Sequence, residues 1–75
     1  MTSIAEIDAT GLASLTPKER EVLQFLSKGL PAHEISALMG MSRWTTQDHT
    51  KAIFRKLDVS TRVEAAVIAA KAGWV

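Results

Sequence analysis

The stretch from Pro31 to Leu57, PAHEISALMGMSRWTTQDHTKAIFRKL, decides how this chain folds. It opens with Ile35, Leu38 and Met39, apolar residues at the i, i+3, i+4 spacing of one helix face. Gly40 closes that helix, because glycine enters the left-handed conformation of a helix C-terminus without a steric penalty. Only Met41 and Ser42 separate it from the next periodic run, and Ser42 carries the short hydroxyl favoured at an N-cap. From residue 43 to residue 57, a step of about 100° per residue sorts the side chains onto two faces. Thr46, Thr50, Ile53 and Leu57 share one face, with His49 and Phe54 on its flanks. Trp44, Gln47, Asp48, Lys51 and Arg55 occupy a narrow stripe on the other. Two helices joined by a tight glycine turn, the second with a free polar face, make a helix-turn-helix candidate. In such a unit the apolar face holds the second helix to a scaffold while the polar stripe is open to a DNA major groove.

The scaffold is legible on both sides. Thr16, Pro17 and Glu19 supply an N-cap, a proline for the first helical turn and the glutamate of a capping box. Val22, Phe25 and Leu26, with Leu23 beside them, form the stripe of that helix, and Gly29 stops it. After the turn Asp58-Val59-Ser60, Thr61 and Glu64 repeat the capping-box spacing for a fourth helix ending near Ala72. Before residue 15 the signals are weak. Ser3 and Glu6 have capping spacing and Ile4, Ile7 and Leu12 could line a stripe, but Gly11 interrupts it. Residues 1–14 are read as a leader or linker with a short helical piece, and residues 15–75 as one domain. The fold class is all-α, with four helices and no strand.

Length and composition exclude much else. Seventy-five residues allow one small domain, and a core of that size needs well-capped helices or a partner chain to hold it. There is no cysteine, hence neither a disulfide nor a thiolate metal cage, in keeping with a reducing cytoplasm. The two histidines, His33 and His49, are too far apart for metal-ligand spacing. Net charge is +1, but its distribution is uneven: −2 over residues 1–16, zero over 17–50 and +3 over 51–75. The longest apolar run, Ala65 to Ala70, falls far short of the roughly 20 residues that span a bilayer. No nucleophile–base pair, phosphate-cradling glycine loop or metal cluster is present in the sequence. The expectation is therefore no enzyme, no cofactor, no metal, no small-molecule ligand in this domain and no membrane.

Many of these residues also form a pattern in register. Leu15-Thr16-Pro17-Lys18-Glu19-Arg20-Glu21-Val22-Leu23 resembles the opening of the LuxR/FixJ/NarL family of bacterial DNA-binding domains. The resemblance continues without gaps through Gly29-Leu30, Glu34-Ile35, Gly40-Met41-Ser42, Thr45, His49, Lys56-Leu57, Val59 and Thr61-Arg62-Val63-Glu64-Ala65. The promoter-reading region of bacterial sigma factors opens similarly, but the Lys56–Val59 turn and the capped fourth helix favour the LuxR type. The resemblance implies a four-helix LuxR-type helix-turn-helix domain that binds operator DNA as a dimer. Four positions depart from the family pattern. Gln47 stands where lysine or arginine is common, Asp48 where a small or neutral residue is usual, and Thr46 where a valine packs inward. Pro31 replaces the serine or threonine cap of the second helix, so Glu34 loses its capping partner.

On this reading Gln47, Asp48 and Lys51 face bases, while Arg43, Thr45 and Arg55 position the phosphate backbone of double-stranded DNA. Asp48 has two readings: it accepts a hydrogen bond from cytosine, or it weakens binding by repelling phosphate. Trp44 likewise either meets a thymine methyl or the sugar–phosphate wall, or packs on a neighbouring loop. His49 is read as a packed histidine and His33 as a surface one. The Thr46 hydroxyl is expected to bond a carbonyl one turn back. The fourth helix is apolar all round, which implies burial on more than one side. Val63, Ala66, Val67 and Ala70 are assigned to the core, leaving Ala65, Ile68, Ala69 and Ala72 for a second subunit. The function expected is a sequence-specific transcriptional regulator, cytoplasmic and nucleoid-associated, acting as a homodimer. The alternative is an interaction module that dimerises with a full-length regulator and modulates it without strong DNA binding of its own.

Overall fold

The computed structural model describes residues 11–74. The expectations placed on Ser3, Ile4, Glu6 and Ile7 lie outside the described residues. Within them the chain forms a single 3₁₀ turn, Leu12–Ser14, and four helices: α1 Pro17–Ser27, α2 Ala32–Met39, α3 Arg43–Leu57 and α4 Arg62–Lys71. No strand occurs among the described residues.

The caps explain why the helices begin where they do. The Thr16 hydroxyl accepts the Glu19 N–H at 3.1 Å, and the Glu19 carboxylate accepts the Thr16 N–H at 2.9 Å, a complete capping box. Pro31 caps α2 without any side-chain bond, as its chemistry requires. Thr61 accepts the Glu64 N–H, but the Glu64 carboxylate takes the Thr61 hydroxyl proton and not its backbone N–H, so the second box is only half formed. Asp58 ends α3 in the left-handed region at φ 57°, where aspartate is better tolerated than most residues other than glycine.

The core joins Val22, Leu23 and Leu26 of α1 to Ile35, Ile53, Leu57, Ala65 and Ala69, with Leu12 closing one end. Its most extensive contact is between α1 and α4. Here the expected orientation of α4 is overturned. Ala65 and Ala69, assigned to a dimer interface, are fully buried against this chain's own core, and Ile68 packs beside them. Val63 and Val67, assigned to the core, are 70% and 45% exposed. The reason is helix separation: interaxial distance is set by the side chains at the contact, and alanines let α4 approach α1 closely where valines would hold it off. Ala72 is exposed, one residue beyond α4. Leu38 is likewise corrected, since it is 62% exposed while its neighbour Ser36 turns inward.

Two further contacts lock the ends. Lys56, in the last turn of α3, donates to the Glu19 carboxylate at 2.6 Å and to the Ser14 carbonyl at 3.1 Å. Burial alone would raise the Glu19 pKa. The hydrogen bonds from Lys56 and from the Thr16 N–H, with the charges of Lys56 and His49, outweigh it and hold the carboxyl below its ordinary value. Gly11 adopts φ 84°, and a Cβ there would lie 1.9 Å from the Lys56 carbonyl oxygen, so only glycine lets the turn dock. At the other end Trp74 packs on the core, with the Arg20 guanidinium 4.2 Å from its ring centroid.

Candidate nucleic-acid interface

The angle between α2 and α3 is set at their junction. Gly40 takes φ 63°, the Met41 N–H returns to the Ser36 carbonyl at 3.0 Å, and Ser42 caps α3 by accepting the Thr45 N–H at 3.1 Å. Beneath the turn lies a buried hydroxyl pair. Ser36 Oγ is 2.7 Å from Thr46 Oγ1, 10 positions along the chain. Ser36 Oγ also lies 2.9 Å from the Ala32 carbonyl, and Thr46 Oγ1 lies 3.1 Å from the Ser42 carbonyl. The carbonyl one turn back is the partner expected for Thr46; Ser36 is a second one that the linear sequence did not reveal. Three contacts share two hydroxyl protons, and a separation at the usual O–H···O distance means one proton lies between the helices.

Each hydroxyl keeps a carbonyl acceptor when the other is removed, so neither single substitution strands a buried polar group. Ser36→Ala and Thr46→Val should therefore each cost about 0.5–1.5 kcal/mol. The wild type has two donated bonds, each single variant one and the double variant none, so the two losses should add, to about 1–3 kcal/mol in all. Urea unfolding of the four proteins measures it; a single variant that loses as much as the double one would mean that the remaining hydroxyl finds no acceptor.

The two faces of α3 separate as its periodicity requires. Thr46, Ile53 and Leu57 are buried, and His49, Thr50 and Phe54 are half-buried at the flanks. Trp44, Gln47, Asp48, Lys51 and Arg55 are all exposed, as are Arg43 and Thr45 in the first turn. Trp44 is 79% exposed and so has no neighbouring loop to pack against. The Thr45 hydroxyl is engaged with Ser42 Oγ at 3.0 Å. Among the described residues the one ion pair is Lys56–Glu19, so Lys51 and Arg55 carry charge that no carboxylate neutralises, and Asp48 is not paired with Lys51. His33 is on the surface.

One flank of α3 borders a groove of about 370 Å³, lined by Gln47, Thr50, Lys51 and Phe54 from α3, Leu26, Ala32 and Arg62. Arg62, at the first position of α4, donates to the Leu30 carbonyl and is thereby held beside this groove. Its place beside the groove could not be read from the sequence, where it follows a cap and belongs to the family pattern. No group of acidic, histidine or cysteine residues suited to a metal ion occurs among the described residues. Nor is any helix there long and apolar enough to cross a membrane.

Comparison with known proteins agrees with this architecture. Residues 13–69 match the GerE family model, described as bacterial regulatory proteins, luxR family. The chain is 38% identical over 53 residues to the nitrate/nitrite response regulator protein NarL of Escherichia coli K12, covering 71% of this chain and 24% of NarL. It is 38% identical over 60 residues to the response regulator RamR of Streptomyces coelicolor, covering 80% of this chain and 30% of RamR. The match thus spans about a quarter to a third of the length of these relatives. On a family match through all four helices and two such relatives, the chain belongs to the luxR family of bacterial regulatory proteins.

Proposed function

We propose that this chain is a sequence-specific DNA-binding module of a transcriptional regulator, and that it seats α3 in the major groove. The observation that carries the reading is the outward face of α3, where Trp44, Gln47, Asp48, Lys51 and Arg55 are exposed together and both cations are unpaired. A helix is about 10–12 Å across and the major groove about 12 Å wide, so a helix presenting one polar stripe fits it. Gln47 suits an adenine edge and Lys51 a guanine edge; Arg43, Thr45 and Arg55 lie where phosphates would pass. Two copies meeting through α4 would present two such helices to half-sites about one duplex turn apart. With Ala65 and Ala69 turned inward, the face available for that pairing is Val63, Val67 and Ala70, exposed at i, i+4, i+7. A nucleoid-associated, cytoplasmic location follows from this function.

Fluorescence anisotropy against a pool of randomised duplexes at two salt concentrations tests the reading. The module should select a sequence and lose affinity steeply with salt, and Lys51→Ala should weaken binding about tenfold. Asp48 supports a second reading, a module that pairs with a full-length regulator and modulates it, because an unpaired carboxylate on the outward face opposes phosphate. Failure to bind any duplex at low salt, together with a stable complex with such a regulator, would establish the second reading over the first.

A further inference from the structure

The groove beside α3 has a chemistry that the reading of bases leaves unused. Its lining is apolar at Leu26, Ala32 and Phe54 and also includes the cations Lys51 and Arg62. We propose that it seats the sugar–phosphate backbone of one DNA strand, a phosphate oxygen lying against Arg62 and a deoxyribose resting on the Phe54 side. This rests on α3 entering the major groove, and it adds Arg62 as a positioning residue for that complex.

A helix about as wide as the groove it enters must touch the walls with its flanks, and those walls are the strand backbones. Gln47, Thr50, Lys51 and Phe54 follow the i, i+3, i+4, i+7 flank of α3, so the groove runs beside that helix for about two turns, or ~10 Å. No carboxylate lines it. Glu64, the acidic residue nearest to Arg62 in sequence, is turned back by the Thr61 hydroxyl at 3.1 Å. Arg62 is also held in advance, since one guanidinium N–H donates to the Leu30 carbonyl. A guanidinium has five donors in a planar fork, and a fixed fork matches phosphate geometry better than a flexible ammonium. An amphipathic lining of this kind suits a ligand that alternates sugar carbon with phosphate.

The test is anisotropy on a selected duplex across a salt series, with thermal melts of each variant. Arg62→Met keeps the apolar stem and removes the charge. It should weaken binding about five- to tenfold on all duplexes alike, leave the preferred sequence unchanged and lower the salt slope by about one unit. A methylphosphonate placed at the contacted phosphate should weaken the wild-type complex and have no further effect on Arg62→Met. If Arg62→Met does not fold, Ala32→Glu serves instead, because an acidic residue in the first turn of α2 favours the helix while putting negative charge into the groove lining. That variant should bind at least about tenfold more weakly at unchanged melting temperature. An unaltered salt slope in Arg62→Met, or unaltered affinity in Ala32→Glu, overturns the proposal while wild-type binding leaves the major-groove reading intact. A wild-type chain that binds no duplex removes both.

Discussion

Replacing Lys56 with methionine is expected to cost about 2–3 kcal/mol at neutral pH, because it leaves the Glu19 carboxylate buried without its cation. Glu19 is 6% exposed, and a single oxygen accepts both the Thr16 N–H and the Lys56 ammonium. For a domain of this size the loss corresponds to a fall in Tm of roughly 10–20 °C. The sign with pH distinguishes the mechanism. In the wild type the folded Glu19 has a lowered pKa, so its stabilisation is present above the unfolded value, ~4.3, and is lost as pH falls through the folded one. Without Lys56, the burial that raises the carboxyl is opposed only by the Thr16 N–H and the His49 charge, so the folded pKa moves up from its wild-type position. The stabilisation that the wild type gains above the unfolded value is then reduced or gone in the variant, and its deficit should shrink in acid. Glu19→Gln added to Lys56→Met should recover part of the loss at pH 7. Urea unfolding at pH 3.5 and 7 measures both, and a deficit that does not change with pH would mean that Lys56 acts through packing alone.

Gly11→Ala should cost about 3 kcal/mol, through two effects that can be separated. The left-handed backbone penalises alanine by about 1–2 kcal/mol. The remainder comes from collision with the Lys56 carbonyl, which forces the 3₁₀ turn away and withdraws Leu12 from the core. Gly29 is the control, with the same φ of 84° and no atom within 4 Å of its virtual Cβ. Gly29→Ala should therefore lose only the backbone part. Equal losses at the two positions, by thermal or urea unfolding, would show that the turn does not need this close approach.

These contacts also show where sequence is informative and where it is silent. The pattern of α3 was legible because polar and apolar residues separate at helical period, so its two faces and its ends follow from spacing alone. In α2 the rule that hydrophobic residues turn inward chose Leu38 over Ser36, whereas the hydroxyl of Thr46 across the interface makes Ser36 the buried residue. In α4 seven of the ten residues are apolar and they lie all round the helix, so period carries no orientation. Side-chain volume then decides, and it favours the small alanines over the valines. Glu19 and Lys56 are 37 positions apart, and nothing local in either suggests the other. The same holds for Gly11, which reads as an interruption of a leader yet is the point where that leader meets α3. Of the site, the exposed stripe was legible from periodicity, whereas Arg62 and its groove depend on how α4 is placed beside α3.

The two tryptophans stand in opposite surroundings: Trp44 projects into solvent from the first turn of α3, and Trp74 lies under Arg20 against the core. They amount to two built-in optical probes. A soluble quencher reaches the first ring far more readily than the second, so emission that is quenched easily reports on whatever covers the outward face. Emission that is protected reports on whether α1 and α4 are still together. With Trp44→Phe or Trp74→Phe as the only change, occupancy of the one face and integrity of the fold become separately visible in unlabelled protein.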